Sequence, residues 1–334
     1  MEQRRRVGAY GVSWDGDGRV LLVRESPWAD FPGAWRLPGG ALAHAEHPEA
    51  GVARGFAEEA GLAVAVTGLV AAVADVTSLP EEGVSLHTDR IVFTVAPTGA
   101  LHGEVGGGEV GGGEDGVHGE AGELRGEAGQ ALREDGDRAT DLARWVTPEE
   151  AAALPLLPFT AEVLGLPVVP VPPAASRAVP RAPLPPSPVD RRTRFAAYGL
   201  VTDPAGRVLL TKIAEGYPGA GLWHLPGGGT DHGEQPAAGL LRELVEEGGQ
   251  LGRVGELIAV HNLHNPAALG PEGRPLDWHG VRVIYRVLVE EPTEARVTEL
   301  AGGSTADAAW FTPEQLGGLR VTEVVALATG RRVG

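Results

Sequence analysis

Three glutamates in one short segment carry the clearest chemical signal in this chain. Glu243, Glu246 and Glu247 stand at positions i, i+3 and i+4, so a helix would bring their carboxylates together on one patch. Like charges at this spacing repel one another, so a positive charge is expected to offset the cost. A hard divalent cation with oxygen ligands is the natural candidate, and the segment therefore predicts a metal site.

The residues around these glutamates have the pattern of a helix from Gln235 to Gly248. Pro236 suits the first turn of this helix, and Gly249 suits a left-handed residue at its end. Apolar residues at three- and four-residue spacing predict a stripe that packs on the core: Ala237, Leu240, Leu241, Leu244 and Val245. We therefore expect Arg242 and the glutamates to share the opposite face.

A glycine-rich stretch, Leu225 to Gly229, stands shortly before this helix. Glycine lets the backbone approach a ligand closely, so the stretch can present a carbonyl oxygen to the cation. The N-terminus of the helix lies nearby and is suited to receive phosphate oxygens. A metal and a phosphate are thus predicted to meet in one place.

The glycine-rich stretch and the helix together resemble the Nudix box, written G-x5-E-x7-R-E-U-x-E-E-x-G-U, with U an apolar residue. The matching residues are Gly228, Glu234, Arg242, Glu243, Leu244, Glu246, Glu247 and Gly249. The last position holds Gln250 rather than an apolar residue, and we expect Leu251 to supply the missing packing. So many fixed residues at fixed spacings make a chance match improbable.

The resemblance implies both a function and a fold. Members of the family hydrolyse the pyrophosphate linkage of nucleoside diphosphate derivatives by attack of water on phosphorus, with Mg²⁺ or Mn²⁺ as cofactor. The implied fold is α/β, with an α/β/α sandwich around a mixed sheet. The implied partner is a small phosphorylated substrate of the nucleotide type.

The resemblance also implies roles for single residues. Glu246 and Glu247 would ligate the metal together with the Gly227 carbonyl, and Glu243 would ligate it or act as base on the attacking water. These three glutamates are the predicted catalytic residues. The other fixed residues of the box are structural: Gly228, Glu234, Gly249 and Arg242, the last paired with Glu234 to hold the loop to the helix.

The chain repeats itself, and this repeat predicts two domains. Segments recur with an offset of 188 residues: 9–11 as 197–199, 18–22 as 206–210, and 37–40 as 225–228. We predict tandem Nudix folds over residues 1–166 and 192–334, joined by a Pro-rich linker over 167–191. A Gly- and Glu-rich insertion is predicted in the first copy over about 102–138.

The first copy of the box, residues 40–62, is degenerate. Gly55 stands where the pattern requires glutamate, while Glu58 and Glu59 remain as a second, weak metal site. We therefore predict that the first domain is weak or inactive as a hydrolase. It would then either bind a nucleotide or only brace the second domain.

Substrate contacts are harder to read from the sequence. Trp223, His279 and Arg282 are weak candidates, because each recurs in the other copy but is equally compatible with packing. His44 and His232 stand at matching positions, and we do not expect either to be a metal ligand, since Nudix metals are mainly oxygen-bound. Two other functions stay open: a nucleotide-binding regulatory module and a nucleoside triphosphate pyrophosphatase of the same fold.

Composition excludes several classes of protein. The chain has no cysteine, which excludes disulfides, thiolate zinc sites and cysteine nucleophiles and fits a reducing compartment. A formal charge of −17 opposes binding to nucleic acid. No stretch is apolar enough to span a bilayer or to form a signal peptide, so we expect a cytoplasmic protein without a membrane partner.

Overall fold

The computed structural model describes most of the chain. The described residues are 1–98, 139–174, 190–269, 274–298 and 303–330. The predicted Gly- and Glu-rich insertion lies outside them, as does most of the predicted linker. Among the described residues, no helix combines the length and the hydropathy of a membrane-spanning segment.

Among its described residues, the first copy contains two sheets and three α-helices. Its strands are β1 (Glu2–Val12), β2 (Val20–Glu25), β3 (Trp35–Arg36), β4 (Gly39–Ala41), β5 (Val64–Leu79), β6 (Val84–Pro97) and β7 (Thr140–Val146). Its helices are α1 (Pro48–Ala60), α2 (Pro148–Ala153) and α3 (Pro158–Val163). One sheet has the order β4-β1-β6-β5 and the other the order β3-β2-β7. The larger sheet is mixed, because β1 runs parallel to β6 and antiparallel to β4.

The second copy repeats this arrangement around one mixed sheet. Its strands are β8 (Asp190–Thr202), β9 (Val208–Ile213), β10 (Trp223–His224), β11 (Gly227–Gly229), β12 (Arg253–Leu269), β13 (Pro275–Leu288) and β14 (Thr305–Phe311). Its helices are α4 (Pro236–Gly248), α5 (Pro313–Leu316) and α6 (Glu323–Thr329). The order is β10-β9-β8-β13-β12, with β11 paired to β8 and β14 to β9. Strand β8 begins at Asp190, inside the segment predicted as linker.

Helices cover both faces of the sheet, as the side chains of β1 show. Neighbouring residues of a strand point to opposite faces. The ring of Tyr10 lies 4.8 Å from that of Phe159 in α3. A Cβ atom on Gly11 would come within 2.6 Å of the ring of Phe56 in α1. Helices α1 and α3 therefore lie on opposite faces, which confirms the predicted α/β/α sandwich.

The two copies share a buried interface. Phe56 of α1 and Leu240 of α4 belong to one continuous apolar cluster that extends through both copies. The Tyr285 hydroxyl donates a hydrogen bond of 3.1 Å to the Ala72 carbonyl across the interface. The side-chain amide of Gln235 accepts from the Ala74 amide at 2.9 Å and donates to its carbonyl. Burial and hydrogen bonds thus join the copies directly.

Helix α4 begins and ends at the predicted residues. Gln235 is its N-cap, Pro236 occupies the first turn, and Gly249 ends it with φ of 66°. The amide of Gly249 donates to the carbonyls of Leu244 and Val245, which satisfies the last turn of the helix. Because the Gln235 side chain is used across the interface, it makes no capping bond within its own helix.

Two predictions of packing around α4 are wrong. Val245 is 38% exposed and lies outside the apolar stripe, whereas Leu240 and Leu244 are fully buried. Leu251 is 83% exposed, and Gln250 itself fills the position that the family gives to an apolar residue. The buried amide of Gln250 is tolerated because its hydrogen bonds are satisfied by the backbone of residues 248 and 293.

Candidate functional site

Arg242 forms ion pairs with the carboxylates on the outer part of helix α4. Its Nη1 lies 3.1 Å from Glu243 Oε1 and 3.5 Å from Glu246 Oε2. Its Nε lies 3.1 Å from Glu234, and its Nη2 donates to the Gly229 carbonyl at 3.2 Å. The geometry therefore contains the pairing expected between Arg242 and Glu234, and this pairing holds the glycine-rich loop to the helix.

Glu247 lies in the core rather than on a solvated face. It is only 6% exposed, and its carboxylate accepts from the Gly227 amide at 3.0 Å and from the Thr305 hydroxyl at 2.5 Å. Burial raises the pKa of Glu247 to about 7, although these two hydrogen bonds oppose the rise. The periodicity of a helix predicts that Glu247 shares an outer face with Glu243 and Glu246. In the structure, strand β14 covers the side of the helix on which Glu247 lies.

The carboxylate of Glu243 lies against the glycine-rich loop. A Cβ atom on Gly228 would come within 2.7 Å of Glu243 Oε1, so glycine at this position allows the carboxylate to approach the loop closely. Burial raises the pKa of Glu243, and Arg242 opposes the rise. Glu243 and Glu246 thus lie beside Arg242, while Glu243 and Glu247 lie against the glycine-rich loop. Because carboxylate oxygens carry negative charge and are hard ligands, this set fits a hard divalent cation.

Two arginines and a tyrosine lie on the loop side of these carboxylates. Arg194, Tyr198 and Arg282 line a cavity of about 50 Å³. The Arg194 guanidinium lies so close to Gly229 that a Cβ there would be 2.7 Å from its Nη2. Burial raises the pKa of Tyr198, and Arg282 and Arg194 are near enough to oppose the rise. Cations that can bind phosphate therefore lie beside the acidic patch.

Sequence reasoning missed part of this cavity. Neither Tyr198 nor Arg194 belongs to the box, and its pattern does not predict them as lining residues. Both recur in the first copy at the 188-residue offset, as Tyr10 and Arg6, which also line a cavity. The recurrence of these two residues in both copies is the sequence signal that could have identified them.

The three weak substrate candidates lie in different places. Arg282 lines the cavity. The ring of Trp223 packs edge-on against Phe311 at 4.7 Å, which is a packing contact. His279 lies at the interface between the copies, with its Nε2 2.8 Å from the Asn262 side chain. The structure therefore brings only Arg282 of the three to the cavity.

The first copy has no room for the missing glutamate. A Cβ atom at Gly55 would come within 2.6 Å of the Cα atom of Gly39. The backbone of Gly39 therefore lies directly against helix α1 at this residue. Any side chain at residue 55 would force this backbone apart.

An arginine occupies the centre of the degenerate box. The Nη2 of Arg36 lies 2.6 Å from Glu59, its Nη1 donates to the Gly39 carbonyl at 3.0 Å, and its Nε lies 2.5 Å from Glu25. Burial alone would lower the pKa of Arg36, but the carboxylates of Glu59 and Glu25 outweigh it and raise the pKa. Glu58 is paired with Arg54 at 2.9 Å. Both carboxylates of the predicted weak metal site are therefore neutralised by arginine.

The second copy has a neutral residue where the first has Arg36. His224 stands at this position, 188 residues further on. Burial lowers the pKa of His224 to about 3, so its ring is uncharged at neutral pH. The carboxylate of Glu247 consequently has no guanidinium partner, whereas the corresponding Glu59 has one.

A larger cavity lies beside the degenerate box. Its volume is about 290 Å³, and its aromatic lining consists of Tyr10, Trp28, Phe31 and Phe159. Arg90 also lines it, is almost fully buried, and places its guanidinium 4.4 Å from the centre of the Phe159 ring. One Nη lies 2.6 Å from Asp75, but the Nε has no hydrogen-bond partner among the described residues. This cavity therefore offers stacking surfaces and an unsatisfied donor.

Comparison with known proteins finds one family. The NUDIX domain model matches residues 4–165 and 192–328. A MutT-like protein of Streptomyces ambofaciens is 41% identical over 99 residues, which cover 28% of this chain and 54% of that protein. The chain thus spans about half the length of this curated relative.

Three of the similar solved structures each match less than half of the chain. The MutT NUDIX hydrolase from Burkholderia pseudomallei is 26% identical, with a TM-score of 0.32, and covers 42% of this chain and 99% of its own. The MutT protein from Methanosarcina mazei Go1 is 19% identical, with a TM-score of 0.33, and covers 41% and 90%. The NUDIX domain of Shewanella oneidensis NrtR, complexed with ADP ribose, is 18% identical, with a TM-score of 0.33, and covers 42% and 88%.

Proposed function

The chain belongs to the Nudix hydrolase family, and we propose that its second domain cleaves the pyrophosphate linkage of nucleoside diphosphate derivatives with Mg²⁺ or Mn²⁺. The observation that carries the proposal is the acidic set on helix α4: Glu243 and Glu246 lie beside Arg242, and Glu247 accepts a hydrogen bond from the Gly227 amide. We keep residues 1–166 and 192–334 as the proposed domain limits. We also propose a cytoplasmic location, which the absence of cysteine supports.

In this proposal, each residue of the second-domain site has a separate role. Glu246 and Glu247, with the Gly227 carbonyl, hold the cation, which when bound polarises phosphoryl oxygens and acidifies water. Glu243 accepts the proton of the attacking water, and its raised pKa makes it a stronger base than an exposed carboxylate. Arg282 binds phosphate oxygens at the side of the cavity.

The test is a panel of nucleoside diphosphate conjugates and nucleoside triphosphates, assayed with Mg²⁺ or Mn²⁺. We expect turnover of at least one conjugate, and a loss of roughly 100-fold or more in Glu246→Gln and Glu243→Gln. Glu58→Gln, the matched change in the first copy, should keep wild-type turnover. Full activity of the second-domain variants would refute the assignment.

The products decide between the proposal and its nearest alternative. Cleavage of a conjugate gives two phosphomonoesters, whereas a nucleoside triphosphate pyrophosphatase gives a nucleoside monophosphate and inorganic pyrophosphate. If only triphosphates are turned over, the alternative of the same fold replaces our proposal. If no member is turned over, the chain is a binding module.

The first domain has a second function in our proposal: it binds a nucleotide without metal. Arg36 supports this, because its guanidinium contacts Glu59 and the Gly39 carbonyl, the counterparts of the groups proposed to bind metal in the second domain. The adjoining cavity of about 290 Å³ supplies aromatic rings for a base and the donor of Arg90 for a polar group.

Calorimetric titration with ADP in the presence of EDTA tests this second function. We expect binding to the Glu246→Gln protein without metal, and about tenfold weaker binding after Trp28→Ala, since a stacked base contributes about 1–3 kcal/mol. Trp14→Ala is the matched control, because Trp14 is similarly exposed but does not line the cavity. Loss of binding on adding EDTA to the wild-type protein would exclude a metal-independent site.

A further inference from the structure

We propose that His44, His264 and Asp277 form a binding site for a zinc-like transition-metal ion, and that this ion links the two domains. The site is separate from the carboxylates of helix α4 and does not depend on the proposed function. His44 belongs to the first domain, between β4 and α1, whereas His264 and Asp277 lie on β12 and β13 of the second. One ion would therefore have ligands from both domains.

The strand register places the two second-domain ligands on one face of the sheet. His264 lies directly opposite His279 in the antiparallel pair of β12 and β13. Asp277 stands two residues before His279, so both point to the same face as His264. The loop that carries His44 packs onto this face, with its imidazole 5.7 Å from that of His264 between ring centres.

The donor atoms are close enough for one ion to bind all three. Asp277 Oδ1 lies 2.7 Å from His264 Nε2 and 3.0 Å from His44 Nε2, and all three atoms lie within 4.8 Å of one another. Zinc bonds of about 2.0–2.1 Å in a tetrahedron separate neighbouring ligand atoms by roughly 3.3 Å. Small side-chain rotations suffice to reach this spacing.

The surroundings of His44 also suit a ligand. Its Nε2 is buried and lies 3.0 Å from Asp277 Oδ1, so this nitrogen faces the carboxylate. Its Nδ1 lies 3.4 Å from the Thr193 hydroxyl, which can orient the ring as outer partners of metal-binding histidines do. A histidine ring with one nitrogen beside a hydroxyl and the other facing a carboxylate presents that second nitrogen to an ion bound next to the carboxylate.

The ligand types select the class of metal. Two neutral imidazoles and one carboxylate suit Zn²⁺, Co²⁺ or Ni²⁺, whereas Mg²⁺ prefers a set made of oxygen only. Three protein ligands leave a fourth position for water. This set therefore differs from the catalytic site in metal preference, which allows the two sites to be measured separately.

The repeat supplies an internal comparison. The equivalent contact in the other half of the interface contains His232 for His44, Ser85 for Asp277 and Val76 for His264. There the Nε2 of His232 lies 2.9 Å from the Ser85 hydroxyl, so the same geometry holds one histidine and a hydroxyl. Only one of the two equivalent positions thus carries three ligands.

The experiment measures Co²⁺ binding to the full, metal-stripped chain in excess Mg²⁺, which saturates the carboxylate site. We expect one equivalent of Co²⁺ with the visible absorption of a low-coordinate ion. His264→Ala and Asp277→Asn should weaken binding by more than about 100-fold, because the loss of a direct ligand exceeds the 10–100-fold cost of losing an outer partner. His232→Ala is the matched control and should bind like wild type.

A variant that gains a metal site keeps the proposal testable if a variant that lacks a ligand fails to fold. Val76→His with Ser85→Asp should add a second equivalent of Co²⁺ around His232. Zn²⁺ should also raise the melting temperature of the wild type but not that of His264→Ala. Absence of Co²⁺ absorption in the wild type, or unchanged binding in both ligand variants, would overturn the proposal.

Discussion

The same substitution at two equivalent carboxylates should change stability in opposite directions. In metal-free protein at pH 8, Glu247→Gln should raise the free energy of unfolding, whereas Glu59→Gln should lower it. The cause is the residue beside each carboxylate: Glu247 is buried without a guanidinium partner, while Glu59 is paired with Arg36 at 2.6 Å. Equivalent positions in a repeat therefore have different electrostatics.

The size of the first effect follows from the pKa of Glu247, which burial raises from 4.5 to about 7. A carboxyl whose folded pKa exceeds its unfolded value destabilises the fold as pH rises between the two values, and the effect is complete above the higher one. At 1.36 kcal/mol for each pKa unit, ionisation costs the metal-free fold about 3 kcal/mol at pH 8. Glutamine removes this cost but loses one accepted hydrogen bond of about 1 kcal/mol, so the net gain is about 2 kcal/mol.

The second effect follows from the pairing of Arg36. Removal of one partner from a buried ion pair typically costs 3–5 kcal/mol, because a charge remains without compensation. Glu25 still contacts the guanidinium at 2.5 Å, so the loss in Glu59→Gln should be about 2–3 kcal/mol. The two variants should therefore differ by about 4–5 kcal/mol at pH 8.

Urea denaturation with EDTA at pH 8 and at pH 5 measures both effects. The stabilisation by Glu247→Gln should shrink or reverse at pH 5, where the wild-type carboxyl is protonated. Saturating Mg²⁺ should stabilise the wild type and leave Glu247→Gln nearly unchanged. A destabilised Glu247→Gln protein at pH 8 without metal would refute the reasoning, as would equal changes in both variants.

Three further predictions concern single contacts. Gly55→Glu should not restore the first box but destabilise the fold by about 3 kcal/mol or more in urea denaturation, because the new Cβ meets the backbone of Gly39. Gln250→Leu should lower the free energy of unfolding by about 1–3 kcal/mol, although it matches the family pattern better, because the Thr293 amide loses its buried partner. In steady-state assays, Arg282→Ala should raise KM about tenfold or more if the arginine binds substrate phosphate; an unchanged KM would place Arg282 in packing alone.

The part of the site that local rules control was predictable from the sequence. The bounds of α4 follow from Pro236 and Gly249, whose backbone preferences act within one turn. The pairing of Arg242 with Glu234 follows from the family pattern and the short distance along the chain. The repeat at a fixed offset likewise predicted two copies of one fold.

The part that depends on tertiary contacts was not predictable. The helical repeat gives the direction of a side chain but not what covers it, so it misplaced Glu247 and Val245. Leu251 was expected to be buried because the last position of the box usually holds an apolar residue. In the structure the side-chain amide of Gln250 fills this space, and its hydrogen bonds are satisfied. Arg36 lies outside the box, and only the folded loop brings it to Glu59.

The shared core has a consequence for symmetry. Two identical chains that paired through this interface would form a twofold dimer, in which every substitution appears at both sites and dissociation depends on protein concentration. Here the pairing is intramolecular, so an effective concentration set by the connecting segment replaces the protein concentration. Each half can therefore hold a residue that its counterpart lacks, such as Arg36 opposite His224 or His264 opposite Val76. One polypeptide thereby combines the buried interface of a dimer with two halves whose residues differ.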